Sequence, residues 1–228
     1  MRFGRELNAT DDRPHFAPLG RHPHDWLPIV EGKQLRPFGI DLDRSTLGIP
    51  RTLASTLLDA ASSFDRDRIA YRDVAAATNK LTLIAAMLPR GSVSTHTVFC
   101  LKTPLDQDAQ WCLLGLLNSL VANYLVRLQV TTHVTTALMA RLPVPRPPAE
   151  SAEFCRLVEL SRLIAVSNIE ATVDEYAEVN SIAARLYSVS NDQYAHVLDS
   201  FPLIPENVRA ACLAVHVRAT ETRKHGAN

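Results

Sequence analysis

The chain has 228 residues, of which 46% are hydrophobic, so it can bury a full core and need not be disordered. Its formal net charge at pH 7 is zero, which excludes a global field that would draw the whole chain to nucleic acid or to an anionic membrane. Glycine occurs only eight times, and no spacing fits the G-x-G-x-x-G or G-x-x-x-x-G-K loops that bind phosphates.

The charge is unevenly distributed along the chain. Residues 1–147 hold 17 Lys and Arg against 13 Asp and Glu, a surplus of four, whereas residues 148–228 hold 7 against 11, a deficit of four. A surplus of this size is compatible with chance. It nevertheless indicates that the first part would be the one to face a polyanion.

The four cysteines are far apart and include no C-x-x-C pair, which argues against a zinc knuckle or a disulfide framework. We therefore expect four buried free thiols: Cys100, Cys112, Cys155 and Cys212. The opening stretch MRFGRELNATDD has no apolar run of the secretory kind, and a reducing cytoplasm is the simplest expectation.

The part before residue 105 is predicted to be rich in strands. Residues 1–50 carry many Pro, Gly and charged residues and predict short strands or an extended arm, followed by a short helix within 51–64. Residues 68–89, RIAYRDVAAATNKLTLIAAMLP, predict a hairpin of two apolar segments with Asn79 and Lys80 at its bend. Residues 95–101 predict a further strand that is at least partly covered on both faces.

Helices are predicted after residue 105. Acidic residues at 106–108 indicate the start of a helix that continues through the apolar run WCLLGLLNSLVANYLV at 111–126. This run is shorter than the roughly 18–20 residues that cross a bilayer, so a long buried core helix is expected and no membrane partner. Further helical patterns follow, including one capped by Ser190 and one beginning near Pro205.

The proline-rich run PVPRPP at 143–148 ends the first unit of the chain. We predict a core at residues 1–147 and a helical extension at 148–228. The fold class is α+β, with a mixed or antiparallel sheet and a long buried helix in the N-terminal part and a helical C-terminal part.

A catalytic or metal site is hard to find in the sequence. No G-x-S-x-G elbow is present. His22, His24 and Asp25 could ligate a metal, but a solvated loop bounded by prolines is the favoured interpretation, so we assign no metal site and no catalytic residue.

Several segments together resemble a known family, and the likeness runs from Phe3 to about Pro205. In order they are FGRELNATDD, VEGKQLRPF, RIAYRDVAAATNKLTLIAAMLP, LLGLLNSLVANYLVR, ARLPVP and ARLYSVSNDQYAHVLDSFP. They resemble the C-terminal target-recognition region, of TaqI-like specificity type, of the adenine-N6 DNA methyltransferases in type II and IIG restriction-modification systems. Phage-defence methylases are built similarly. The resemblance implies a sequence-specific module for double-stranded DNA.

The chain departs from that family in two respects. The family's turn commonly reads T-N-x-R-T, whereas this chain has TNKLTL, with Leu81 in the place of the arginine. The N-P-P-Y-type tetrapeptide that holds a flipped adenine is absent. We therefore expect no enzyme activity from this chain alone, and we expect S-adenosylmethionine to bind in a catalytic domain supplied elsewhere, by a methyltransferase or nuclease partner.

The resemblance and the residue chemistry point to seven candidates for contact with DNA. Arg and Lys suit phosphates and guanine, and Asn suits adenine. The candidates are Lys33, Arg36, Asn79, Lys80, Thr132, His133 and Thr135.

Each candidate also has a structural interpretation. Asn79 is a common turn residue that tolerates positive φ, and the lysines and Arg36 are compatible with ordinary surface charge. The threonines suit a strand face. The alternative function is a non-catalytic subunit that docks to a methyltransferase or nuclease partner without binding DNA.

Overall fold

The computed structural model describes residues 1–21, 25–58 and 64–225, with side chains described up to residue 222 except at residue 21. Its first sheet contains the strands β1 (Phe3–Gly4), β5 (Arg68–Arg72), β6 (Ala85–Leu88) and β8 (Val98–Leu101). Their order in the sheet is β1–β8–β5–β6, with neighbouring strands antiparallel. The predicted hairpin at 68–89 is therefore confirmed, with residues 73–84 as a long β5–β6 loop.

The second sheet contains the strands β2 (Ala17–Pro18), β3 (Trp26–Val30), β4 (Leu47–Pro50) and β7 (Val93–Ser94). Their order in the sheet is β2–β4–β3–β7, and the β3–β7 pair is parallel. Short strands of this kind were expected for the first fifty residues. The combination of antiparallel and parallel pairs confirms a mixed sheet arrangement in an α+β fold.

Helices make up most of the chain after β8, with α1 (Arg51–Leu57) as the short helix expected earlier. The others are α2 (Gln107–Leu117), α3 (Leu120–Arg127), α4 (Thr136–Arg141), α5 (Ala152–Val166), α6 (Val173–Leu186), α7 (Asn191–Asp199) and α8 (Glu206–His225). Local sequence fixes several of their starts, because a short polar side chain accepts a hydrogen bond from the first-turn backbone. Asp106, Ser151 and Ser190 cap α2, α5 and α7 in this way.

The apolar run at 111–126 is buried, as expected, but it forms two helices that meet at 62° rather than one. The break lies at Asn118 and Ser119. The side-chain NH₂ group of Asn118 donates to the backbone carbonyl of Ala85 in β6 at 3.0 Å, and the side-chain oxygen of Asn118 accepts from the backbone amide of Ala85 at 3.2 Å. Ser119 then caps α3. The hydrogen bonds between Asn118 and Ala85, together with the cap at Ser119, compensate for the interrupted backbone hydrogen bonds of the helix. The chain can therefore change direction between α2 and α3.

One large hydrophobic cluster contains residues from both sides of position 147. It includes Leu83 and Leu114 from the first part and Leu157 and Tyr176 from the second. The division at residue 147 remains a prediction. Strand β8 is covered on both faces as predicted, since Val98 and Cys100 lie in a second cluster while Leu101 lies in the large one.

A buried ion pair joins the N-terminal segment to β5. The guanidinium of Arg68 donates to the two carboxylate oxygens of Glu6 at 2.6 and 2.8 Å, and both side chains are at most 2% exposed. Glu6 also accepts from the amide and hydroxyl of Ser94 in β7. The buried carboxylate thus accepts four hydrogen bonds. Because Arg68 belongs to the first sheet and Ser94 to the second, the ion pair links the two sheets.

The expectation of four buried thiols is wrong for one of them. Cys100, Cys112 and Cys212 are buried, whereas Cys155 is exposed in the first turn of α5. Its place on the polar face of that helix was not evident from spacing alone. Within the described ranges, no single helix has the length and apolar character to cross a membrane, and α2 with α3 passes that test only as a bent pair.

Candidate nucleic-acid interface

Two loops that are far apart in sequence are joined at one end of the first sheet. They are the β5–β6 loop, residues 73–84, and the 131–135 loop between α3 and α4. The amide of Ala75 donates to the Thr132 carbonyl at 3.1 Å, and the amide of Val134 donates to the Asp73 carbonyl at 2.8 Å. Val74 and His133 form an antiparallel bridge between these bonds. The two segments proposed from sequence to face DNA therefore lie side by side.

The β5–β6 loop surrounds a shallow concavity of about 430 Å³. Its polar lining is Arg72, Asn79 and Lys80, and its apolar lining is Val74, Leu81 and Ile84. The Val74 side chain is exposed, at 51% of the residue surface. An open surface with cationic, amide and apolar groups together has the chemical variety that base edges require.

In the sequence, the adjacent Asp73 favours an ion pair between Arg72 and this or another neighbouring acid, but the structure shows that prediction to be wrong. Asp73 lies against His133, at 3.2 Å, and Arg5, at 4.0 Å. Within the described part of the chain Arg72 forms no ion pair, and its Nε atom is buried without a hydrogen-bond partner.

The backbone of Gly32 leaves room for the Arg72 side chain. A Cβ atom on Gly32 would lie 3.0 Å from Cγ of Arg72. The same glycine donates its amide to the hydroxyl of Thr97 at 2.9 Å. Burial lowers the pKa of Arg72, although an arginine remains charged at any physiological pH. In the described part of the chain, the concavity is therefore lined by a guanidinium that forms no ion pair with a carboxylate.

Of the predicted cations, Lys80 lines the concavity, whereas Lys33 and Arg36 are not among its lining residues. Lys80 is exposed and approaches Glu170 at 3.4 Å, and Lys33 is exposed and pairs with Glu31 at 2.7 Å. Such exposed pairs are weak, so either ammonium group can exchange its carboxylate for a phosphate. Arg36 lies further inward, where it donates to the Ala165 carbonyl at 2.7 Å and lines a separate cavity of about 200 Å³ that also contains Lys80.

The polar candidates differ in whether they already form hydrogen bonds within the protein. The Thr135 hydroxyl caps α4 by accepting from the Leu138 amide, and Thr132 contributes its carbonyl to the joined loops. Asn79 does not adopt positive φ, which in the described residues is confined to Phe38, Ser188 and Gly91. A need for positive φ therefore does not explain the asparagine at this turn.

Sequence reasoning missed Arg5 as a member of this surface. Its guanidinium lies 5.0 Å from the centre of the Phe99 ring and near Asp73. The prediction of a solvated loop at His22, His24 and Asp25 concerns His22 and His24, which lie outside the described residues. Within the described ranges no cluster of three or more His, Cys, Asp or Glu side chains has metal-binding geometry.

The fold and this surface define an α+β protein with an open, partly cationic concavity formed by two joined loops. No family model matches the sequence, and no curated protein matches it either. Among solved structures, the chain is similar to the type IIL restriction-modification enzyme MmeI in complex with DNA, with a TM-score of 0.58 and 11% identity. The match covers 88% of this chain and 35% of the MmeI chain, so the present chain spans about a third of that enzyme. At this identity the match shows a shared fold.

Proposed function

We propose that this chain is a DNA-recognition module of a restriction-modification system, and that its concavity with the adjoining loops forms the contact surface. The observation that carries the proposal is the position of Arg72, a cation without an acidic partner in the described residues, beside Asn79 and Lys80. The similarity to an enzyme solved with DNA supports the same conclusion.

Phosphate contacts and base contacts are expected from different members of the surface. The exposed ammonium groups of Lys33 and Lys80 suit phosphates, which they contact as point charges. Arg72 carries a planar guanidinium that matches the two acceptors of guanine, and the Asn79 amide matches adenine. The exposed Val74 methyl groups suit the thymine methyl.

Methyl transfer would take place in a separate domain. The 228 residues contain no N-P-P-Y-type tetrapeptide, so the adenine-N6 chemistry and the S-adenosylmethionine site would belong to a methyltransferase or nuclease partner. A cytoplasmic setting and a role in defence against phage DNA follow from such a system.

The proposal is tested by selection from a randomised duplex pool, followed by fluorescence anisotropy with the selected duplex and a scrambled one. Wild type should prefer the selected duplex. Arg72→Ala should lower the affinity for it by about 1–3 kcal/mol, roughly fivefold to 150-fold, because a bidentate base contact has this value. The matched control is Arg146→Ala, which removes an exposed charge lining a different cavity.

Equal losses in Arg72→Ala and Arg146→Ala would indicate that only total charge matters, which contradicts base readout by this surface. A wild-type chain that binds no duplex but co-purifies with a methyltransferase would favour the alternative function of a docking subunit.

A further inference from the structure

Arg127, the last residue of α3, uses its guanidinium to hold the tip of the β5–β6 loop. Its Nη2 atom donates to the Asn79 carbonyl at 2.6 Å and to the Lys80 carbonyl at 3.4 Å. Its Nε atom donates to the Thr82 hydroxyl at 3.2 Å. The third nitrogen, Nη1, donates to the Ser200 carbonyl. A single planar group thus connects three residues of the loop to the C-terminal helical part.

The C-terminal part also supports this guanidinium from behind. The carbon at its centre lies 4.0 Å from the centre of the Phe201 ring, and Phe201, two residues after the end of α7, is 1% exposed. Within the described residues, Arg127 forms no ion pair with a carboxylate, so its partners there are carbonyls, a hydroxyl and an aromatic face. Four of its five N–H donors are therefore occupied within the protein, so at most one remains for a DNA phosphate.

A second residue of α3 holds the chain just beyond the loop tip. Asn123 lies one helical turn before Arg127, on the same face. Its side-chain oxygen accepts from the Leu83 amide at 2.9 Å, and its amide group donates to the Ser119 carbonyl at 3.1 Å. The backbone from residue 79 to residue 83 is therefore fixed by side chains of α3.

We propose that Arg127 is a positioning residue for DNA readout, through which the C-terminal helical part sets the selectivity of the β5–β6 loop. This inference rests on the proposed function. Arg127 fixes the carbonyls of Asn79 and Lys80, and so fixes the direction in which those side chains leave the backbone. Base contacts need placement within about 0.5 Å, whereas phosphate contacts tolerate displacement.

The decisive variant is Arg127→Lys in the full chain. A lysine keeps the charge, but one ammonium group cannot span the four acceptors that the planar fork reaches. Hydrogen exchange without DNA should then speed up at the Asn79 amide, which bonds to the Ala76 carbonyl, by about tenfold or more, because a charged hydrogen bond of over 1.4 kcal/mol has been lost.

With DNA, Arg127→Lys should reduce the preference for selected over scrambled duplex by roughly tenfold, while the salt dependence of binding to scrambled duplex stays unchanged. The matched control is Arg156→Lys, an arginine of α5 whose partners are the exposed carboxylates of Glu159 and Glu178. It should alter neither readout.

A second variant, Phe201→Leu, keeps an apolar side chain but removes the aromatic face, and it should shift both readouts in the same direction by less. Unchanged exchange at the loop tip in both variants would overturn the inference, whether or not the chain binds DNA. Faster exchange with unchanged selectivity would overturn it as well. Failure of the wild type to select any duplex, with exchange responding as expected, would instead refute the proposed function and leave Arg127 as a support of the loop alone.

Discussion

Replacing Glu6 by Gln tests whether the buried ion pair with Arg68 holds the two sheets together. The substitution preserves the size of the side chain and removes its charge. The wild-type carboxylate receives two hydrogen bonds from Arg68 and two from Ser94, and its side chain has no exposed surface. A glutamine has one acceptor oxygen, and its NH₂ group would face a donor.

The expected loss of unfolding free energy is about 3–5 kcal/mol, the usual effect of removing one partner of a buried pair. Most of this loss comes from the charge of Arg68, which is 98% removed from solvent and would lack a counter-ion. Adding Arg68→Met to Glu6→Gln should recover part of the loss, because no unpaired charge then remains in the core.

Urea unfolding at pH 7, followed by circular dichroism, measures these differences. The control is Asp65→Asn, which breaks an exposed pair with Arg51 at 2.7 Å and should cost less than about 1 kcal/mol. A loss below about 1 kcal/mol for Glu6→Gln, or a double variant less stable than Glu6→Gln alone, would refute the reasoning.

Two further predictions concern pH and thiol reactivity. His216 is fully buried against the Tyr194 ring, and burial lowers its pKa. At pH values between the lowered pKa and the ordinary one, the imidazole therefore binds a proton in the unfolded chain but not in the folded chain. The free energy of unfolding should therefore fall as pH drops below about 6.5, by up to about 1.4 kcal/mol per pH unit, which lowers the urea midpoint, and His216→Gln should flatten this dependence. In the native protein a thiol reagent at pH 8 should label one cysteine quickly, and Cys155→Ser should abolish that fast phase. The other three thiols should react slowly, because burial raises their pKa values to about 12; they are Cys100, Cys112 and Cys212. Fast labelling of several cysteines would contradict this prediction.

Elements with a local cause were predictable from the sequence. Asp106 and Ser190 each precede an apolar helical pattern, and each caps its helix in the structure. The hairpin of β5 and β6 was visible in the two apolar segments and the polar residues between them. A signal that depends on residues within one or two turns of each other survives folding unchanged.

Features that depend on distant partners were not predictable. The break at Asn118 needs a hydrogen-bonding partner at Ala85 in the sheet, so the continuous apolar run gave no sign of it. Nothing close to Arg68 in the sequence indicates its buried ion pair, because its partner, Glu6, is 62 residues away.

The candidate site shows the same division. Asn79 and Lys80 were visible as a polar bend, and the 131–135 loop as a polar segment. The bridge between these loops at Val74 and His133 depends on tertiary contacts. So does the lack, within the described residues, of an ion pair at Arg72.

The central claim, that this surface binds the double helix, is tested most directly by the salt dependence of wild-type affinity for a duplex. Three or four phosphate contacts, from groups such as Lys33, Lys80 and Arg5, predict a slope of roughly −3 in a plot of log affinity against log salt concentration. No binding at 50 mM salt, or a slope near zero, would contradict the account.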